Sequence, residues 1–124
     1  MAESILRIKS KKFAIDIIHA CREMRKNKVE YALIDQLLRS GTSVGANIHE
    51  AQFAQGTKDF ISKLEIALKE CNECDYWLDI LLSTQSIDML KSGMLSAECD
   101  EIRKILISSV NTLKSKQKPD AGSN

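Results

Sequence analysis

A seven-residue repeat between residues 60 and 81 constrains the fold of this chain more than any other feature. Its positions alternate steps of four and three residues, at Phe60, Leu64, Ala67, Cys71, Cys74, Leu78 and Leu81. This spacing places an apolar stripe along one face of a helix, and a stripe with a seven-residue period packs with left-handed supercoiling. Asp75 is the one polar residue within the stripe. The repeat therefore predicts a long helix inside a bundle.

Three further amphipathic segments complete the predicted architecture. Helices are expected from about residue 4 to 26, from about 30 to 54, and from about 86 to 116, with Thr57 as the cap of the repeat-bearing helix and Ser86 with Asp88 at the start of the last one. Asn27 and Gly56 mark the first two ends, and Gly93 is a possible interruption. Long helices joined by short turns must fold back on one another. We predict an all-α, antiparallel up-down-up-down four-helix bundle as one domain over residues 1–116, and a disordered tail over 117–124.

Composition places the chain among globular proteins of one domain. It has 124 residues, 44% of them hydrophobic and 28% charged, and its one proline is Pro119. No apolar stretch approaches the ~18 residues that span a bilayer. The N-terminal segment carries charges throughout its apolar region, unlike a signal peptide. These features predict a cytoplasmic protein that does not interact with a membrane.

Cys71 and Cys74 form a CxxC pair, which is typical of zinc and redox sites. Two more zinc ligands would be needed, and the only histidines are His19 and His49. A redox site would need a preceding strand and turn, whereas this pair lies in the middle of a predicted helix. Cys21, Cys71 and Cys74 fall on apolar stripes, where cysteine behaves as a small hydrophobic residue. We expect buried, reduced thiols and neither a metal nor a cofactor.

The familiar catalytic motifs are absent from the sequence. It has no GxSxG, no phosphate-binding GxxxxGK[ST] and no GxGxxG. Neither histidine follows a glutamate by three residues, as a di-iron bundle requires. We therefore predict no catalytic residues and a protein that is not an enzyme.

The run from Arg39 to Ala51, RSGTSVGANIHEA, places two glycines inside a helical pattern. Each glycine lowers the stability of the helix by about 1 kcal/mol relative to alanine. Close approach by a neighbouring helix can offset this loss. The run therefore predicts a packing surface, either within the bundle or between chains, and a polar ligand groove is the less favoured alternative. Arg39 could pair with Asp35 or with another chain. The candidate interface residues are Arg39, Ser40, Gly41, Ser43, Gly45, Asn47 and Glu50.

Charge is distributed unevenly along the chain. The balance is +5 over residues 1–28, −1 over 29–58, −7 over 59–101 and +4 over 102–124. In the predicted topology the start of the first helix lies beside the end of the fourth. We therefore expect a cationic end that either binds nucleic acid through its phosphates or is simply solvated. Its members are Arg7, Lys9, Lys11, Lys12, Lys114, Lys116 and Lys118.

Four segments carry a resemblance to a known family: KSKKFAIDII, QLLRSGTSVGANIHEA, KDFISKLEIALKEC and ECDYWLDIL. The chain resembles the four-helix bundle proteins named after the 23S rRNA intervening sequence, which include the accessory protein of diversity-generating retroelements. The resemblance implies a homo-oligomer, with a ring-shaped pentamer favoured, that acts as a binding or scaffold module. The alternative it implies is a nucleic-acid-binding accessory protein that works beside a reverse transcriptase. Gly56, Cys71 and Cys74 depart from the family pattern, where serine, alanine and threonine are expected.

Overall fold

The structure, a computed structural model, describes residues 2–117 without the side chain of Glu3. It contains four helices: α1 (Ala2–Lys26), α2 (Tyr31–Ala51), α3 (Thr57–Ser83) and α4 (Met89–Gln117). The all-α prediction is confirmed. Gln117, which was assigned to the tail, is the last residue of α4, and the predicted tail from 118 onward lies outside the described residues.

The four helices pack in chain order around one core. α1 and α3 each contact both α2 and α4, so α1 and α3 occupy one diagonal of the bundle and α2 and α4 the other. The register of the salt bridges shows the helix directions. Lys9 pairs with Glu101 and Glu23 pairs with Lys91, so residue numbers rise along α1 while they fall along α4. The predicted antiparallel four-helix bundle is confirmed.

The seven-residue stripe of α3 faces the core as predicted. Its buried members are Leu64, Ala67, Cys71, Cys74, Leu78 and Leu81. Phe60 is only partly buried, and Ile61 takes the core position at this end of the helix. Asp75 is half-buried beside the stripe, where it pairs with Arg103 of α4.

The first helix ends at Lys26 as predicted, but two details of the following connections differ from the prediction. α2 ends at Ala51 rather than near Ala54, because the chain turns over the next five residues. Lys28, rather than Asn27, adopts the left-handed conformation after α1, with φ of 61°. Both differences arise in the connections, where several residues could supply the same turn.

The starts of α3 and α4 differ from the prediction in a similar way. Thr57 is the first residue of α3 rather than its cap, and Gly56 precedes it with φ of 131°, a conformation that favours glycine. Asp88 fulfils its expected role, since its side chain accepts the amide N–H of Lys91 at 2.8 Å. Gly93 does not interrupt α4.

Candidate functional site

The two glycines of α2 face α1 of the same chain. A β-carbon on Gly45 would lie 3.3 Å from the carbonyl oxygen of Ser10, and one on Gly41 would lie 2.9 Å from Cγ1 of Ile17. Contacts this short leave no room for a side chain. Close approach of α1 and α2 within the bundle therefore explains the small residues at these two positions.

The polar side chains of the same run bond to their own helix rather than to one another. Ser40, Ser43 and Asn47 donate to the carbonyl oxygens four residues earlier, at 2.8, 2.6 and 2.8 Å. Thr42 does the same at 2.7 Å. Each hydroxyl or amide therefore has an acceptor within its own helix and needs no polar partner on a neighbouring one.

The two charged residues of the run pair with α3. Arg39 forms salt bridges with Glu73 and with Glu70, the latter at 3.4 Å, and Glu50 lies 3.4 Å from Lys63. The suggested pairing of Arg39 with Asp35 is wrong. Asp35 instead lies 3.9 Å from Arg25 of α1.

A groove of about 580 Å³ runs between α1 and α2 on the outside of the bundle. Small residues form part of it, including Ala14, Gly45 and Ala46, and Arg7 and Lys11 line it on the α1 side. The groove offers apolar surface beside cations.

The predicted cationic cluster is divided between two sides of α1. On the α4 side, Lys9 pairs with Glu101 at 3.0 Å and Lys12 lies 3.5 Å from Glu98. On the α2 side, Arg7 and Lys11 line the groove.

The cations of α4 lie beside α3 or in solvent. Lys114 pairs with Glu65 at 2.6 Å, and Lys116 is exposed. Lys118 lies outside the described residues. Three of the seven predicted cations (Lys9, Lys12 and Lys114) thus have acidic partners on neighbouring helices. Part of the charge asymmetry along the sequence is therefore compensated inside the fold.

Asp16 and Glu98 form a carboxyl pair between α1 and α4 that sequence reasoning missed. Lys12 donates to Asp16 at 2.7 Å, and this hydrogen bond lowers the pKa of Asp16. Burial, followed by the contact with Asp16, raises the pKa of Glu98. Glu98 Oε2 is buried with no hydrogen-bond partner among the described atoms. Burial and the neighbouring carboxylate both favour the protonated form of Glu98.

Three of the four buried cysteines cluster between α3 and α4. Cys99, which lay outside the predicted stripes, is fully buried and contacts Cys71. The hydrogen bond with Cys99, followed by the burial of Cys71 itself, raises the pKa of the Cys71 thiol. For Cys99 the contact with Cys71 lowers the pKa, but contact with Cys74 and burial outweigh it. Burial raises the pKa of Cys21 to about 11.

The raised pKa values of Cys21, Cys71 and Cys99 favour the thiol, whereas the thiolate is the form that binds metals and attacks disulfides. Within residues 2–117, no three His, Cys, Asp or Glu side chains form a group that could hold a metal ion. The cysteines therefore contribute to packing, as the sequence predicted for Cys71 and Cys74.

Two exposed apolar patches lie at opposite ends of the bundle. The α2 patch consists of Ala46, His49 and Phe53, and Phe53 is 74% exposed with its ring against that of His49. The α4 patch consists of Met89, Leu90 and Met94, and Leu90 is 83% exposed. α2 and α4 are diagonal helices, so the patches also face different sides.

No helix in the part of the chain that the structure describes is long and apolar enough to cross a membrane.

Comparison with known proteins relates the chain to a family. The profile of the 23S rRNA-intervening sequence proteins matches residues 3–108. A solved structure of a protein with unknown function from the S23 ribosomal protein family of Bacteroides thetaiotaomicron is similar, with 41% sequence identity and a TM-score of 0.87. The alignment covers 90% of this chain and 99% of that one. No protein of curated function matches the chain.

Proposed function

We propose that this chain, which belongs to the 23S rRNA-intervening sequence protein family, is a non-enzymatic scaffold or binding module assembled from several copies of itself. The observation that carries the proposal is the presence of two separate exposed apolar patches. Large exposed apolar side chains on a small protein mark interaction surfaces. Phe53 is 74% exposed in the α2 patch, and Leu90, at 83%, is the most exposed member of the α4 patch.

The placement of the patches supports a particular kind of assembly. They differ in composition and lie at opposite ends of diagonal helices, so one copy can present its α2 patch to the α4 patch of the next. A contact between two different surfaces is heterologous, and repeated rotation closes it into a ring. We propose such a ring, with five subunits as the family resemblance implies.

The assembly is tested with one substitution in each patch. Phe53→Ser and Leu90→Ser should each convert the assembly to monomers without loss of helix, because both side chains are exposed and lie outside the core. Ile107→Ser, at a position that is 42% exposed on α4, is the matched control and should leave the mass unchanged. Native mass spectrometry measures the subunit number. A monomeric wild-type protein at micromolar concentration would overturn the proposal.

Mixing the two variants distinguishes a heterologous contact from a symmetric one. The Phe53→Ser copy retains the α4 patch and the Leu90→Ser copy retains the α2 patch, so together they should form a dimer of one copy each. No further copy can add, because the remaining patches are both altered. Larger assemblies in the mixture, or no dimer at all, would contradict the head-to-tail arrangement.

Burial of the thiols supports a non-enzymatic, cytoplasmic role. The four cysteines are free and buried, and they are held protonated where a pKa shift is resolved. A buried thiol in this state is a poor nucleophile. Free cysteines are also usual in a reducing compartment.

Nucleic-acid binding stays a second candidate, favoured by the exposed cations Arg7, Lys11 and Lys116. The salt bridges of Lys9 and Lys12 reduce the number of cations that can contact phosphates. Fluorescence anisotropy with unrelated oligonucleotides tests this candidate. Binding should fall steeply with salt, and Lys11→Gln with Lys116→Gln should flatten the log–log slope by about one unit per lost contact. No binding at low salt would refute it.

A further inference from the structure

The outer face of α1 combines exposed isoleucines with cations. Ile8 is 71% exposed and Ile15 is 43% exposed, and they lie seven residues apart on the solvent side of the helix. Residues seven apart in a helix lie on nearly the same line. Exposed cations lie to one side of this line, at Arg7 and Lys11, and beyond its C-terminal end, at Arg22 and Lys26. We call these six residues the α1 face.

The carboxylates of α1 that the structure describes lie away from this face. Asp16 bonds to Lys12 and contacts Glu98, and Glu23 pairs with Lys91, so both point toward α4. The salt bridges among residues 2–117 use none of Lys11, Arg22 and Lys26. Lys11, Arg22 and Lys26 of the α1 face therefore carry positive charge without an acidic partner among the described side chains.

We infer that the α1 face binds an acidic amphipathic helix of another protein, with apolar residues on Ile8 and Ile15 and carboxylates against the cations of this face. This inference deepens the proposed binding role, on which it rests, by naming the chemistry of the partner. A seven-residue spacing of apolar side chains is the pattern that a second helix packs against. The cations then select an acidic partner and its orientation.

A second copy of this chain is a poor occupant of the α1 face. Most acidic side chains on α3 and α4 are already paired within the bundle, among them Glu65 with Lys114, Glu73 with Arg39, Asp75 with Arg103 and Glu101 with Lys9. Binding a second copy would require these pairs to break. A nucleic acid would use the cations but would gain little from two isoleucines, because phosphate contacts are polar.

The test uses a labelled designed peptide of about three heptads, with leucines on one face and glutamates on both flanks. Fluorescence anisotropy measures its binding to the full chain. Ile8→Ser with Ile15→Ser should raise Kd at least about tenfold, since each isoleucine loses apolar burial. The control pair Ile66→Ser with Ile107→Ser alters isoleucines of comparable exposure to Ile15 on α3 and α4, and should leave Kd unchanged.

A second set of variants tests the charges. Lys11→Gln with Arg22→Gln should weaken binding and reduce its dependence on salt, whereas Lys58→Gln with Lys104→Gln, at exposed positions on other helices, should not. Circular dichroism checks that each variant remains folded, which the exposure of all the altered side chains favours.

Three results would overturn the inference. They are no binding of the peptide at low salt, binding that the isoleucine variant retains, and binding that the charge variant retains with unchanged dependence on salt. Light scattering on the same samples separates this inference from the proposed assembly. If the protein assembles but does not bind the peptide, only the binding role of the α1 face is refuted. If it is a monomer that binds the peptide, only the proposed ring is refuted.

Discussion

The carbonyl oxygen of Ser10 lies 3.3 Å from the point where a β-carbon would stand on Gly45. This relationship joins α1 to α2 at a close approach of the two helices, and it involves the backbone of α1 rather than a flexible side chain. A residue larger than glycine at position 45 therefore meets an atom that moves only if the helix moves.

Gly45→Leu should destabilise the protomer itself. The added side chain must separate α1 from α2, and overpacking of this kind costs more than about 2 kcal/mol. Urea denaturation followed by circular dichroism measures the free energy of unfolding. A variant with unchanged stability that merely dissociates into folded monomers would show that Gly45 faces another chain instead.

Gly41→Ala and Gly93→Ala should change stability in opposite directions. Both add the same methyl group inside a helix and gain up to about 1 kcal/mol of helix propensity. At Gly41 the methyl would lie 2.9 Å from the fully buried Ile17, whereas nothing lies within 4 Å at Gly93. Thermal melting should show a lower Tm for Gly41→Ala and a higher Tm for Gly93→Ala. A stabilised Gly41→Ala would contradict the close packing.

The pH dependence of stability should change in Glu98→Gln. Because the folded-state pKa of Glu98 is raised above 4.5, the folded state binds more protons than the unfolded state just above that pH. Its contribution to stability is therefore complete below about pH 4.5 and is lost as the pH rises through the folded pKa. Relative to wild type, Glu98→Gln should become more stable as the pH rises above 4.5.

Asp16→Asn is the partner experiment for this carboxyl pair. The pKa of Asp16 is lowered below 3.8, so its contribution is present above that pH and lost on further acidification. The variant should lose stability relative to wild type most at neutral pH. Urea denaturation across the pH range measures both variants, and differences from wild type that stay constant with pH would contradict the pairing.

Arg103→Met should be more destabilising than loss of an exposed ion pair. Arg103 is mostly buried, forms a salt bridge with Asp75 and donates to Asn72 at 3.1 Å. Its loss leaves Asp75 without a cation, at an expected cost of about 2–3 kcal/mol. Lys63→Met, which breaks the more exposed pair with Glu50, should cost less than about 1 kcal/mol. Adding Asp75→Asn to Arg103→Met should recover part of the loss in denaturant unfolding, and no recovery would argue against this pairing.

The cysteines should not react with thiol reagents until the chain unfolds. All four are buried, and the pKa values of Cys21, Cys71 and Cys99 are raised. A colorimetric disulfide reagent should label four thiols in denaturant and none in the native protein, and excess chelator should leave the circular dichroism unchanged. Replacing Cys71 with alanine and Cys74 with threonine should cost only modest stability, because the volumes change little. Rapid labelling of the native protein would refute the burial of the thiols.

Much of the bundle followed from local patterns, and the exceptions have physical causes. The apolar spacing from Leu64 to Leu81 predicted which face of α3 is buried, because helix geometry alone places those residues together. Asp75, the one polar residue within this apolar stripe, was the only indication in the sequence of the salt bridge with Arg103. Cys99 was missed because a lone cysteine among polar neighbours does not extend an apolar stripe.

The candidate site depended more on packing between helices. The small residues at 41 and 45 predicted close approach by another helix, either within the bundle or from another chain. The structure shows that the approaching helix is α1 of the same chain. The meeting of Asp16 with Glu98 had no sequence signal, since 82 residues separate them and only the register of α1 on α4 brings them together.

By itself the sequence determined the helices, the buried face of α3 and the identity of the close-packing residues, because these follow from periodicity and side-chain size. Only the tertiary structure decided which charges are compensated. Lys9 and Lys12 appeared in the sequence as part of one cationic cluster with Arg7 and Lys11, yet α4 supplies acidic partners to the first two alone. The reason is geometric: neighbours on a helix point in different directions, and the helix on each side determines what each charge meets.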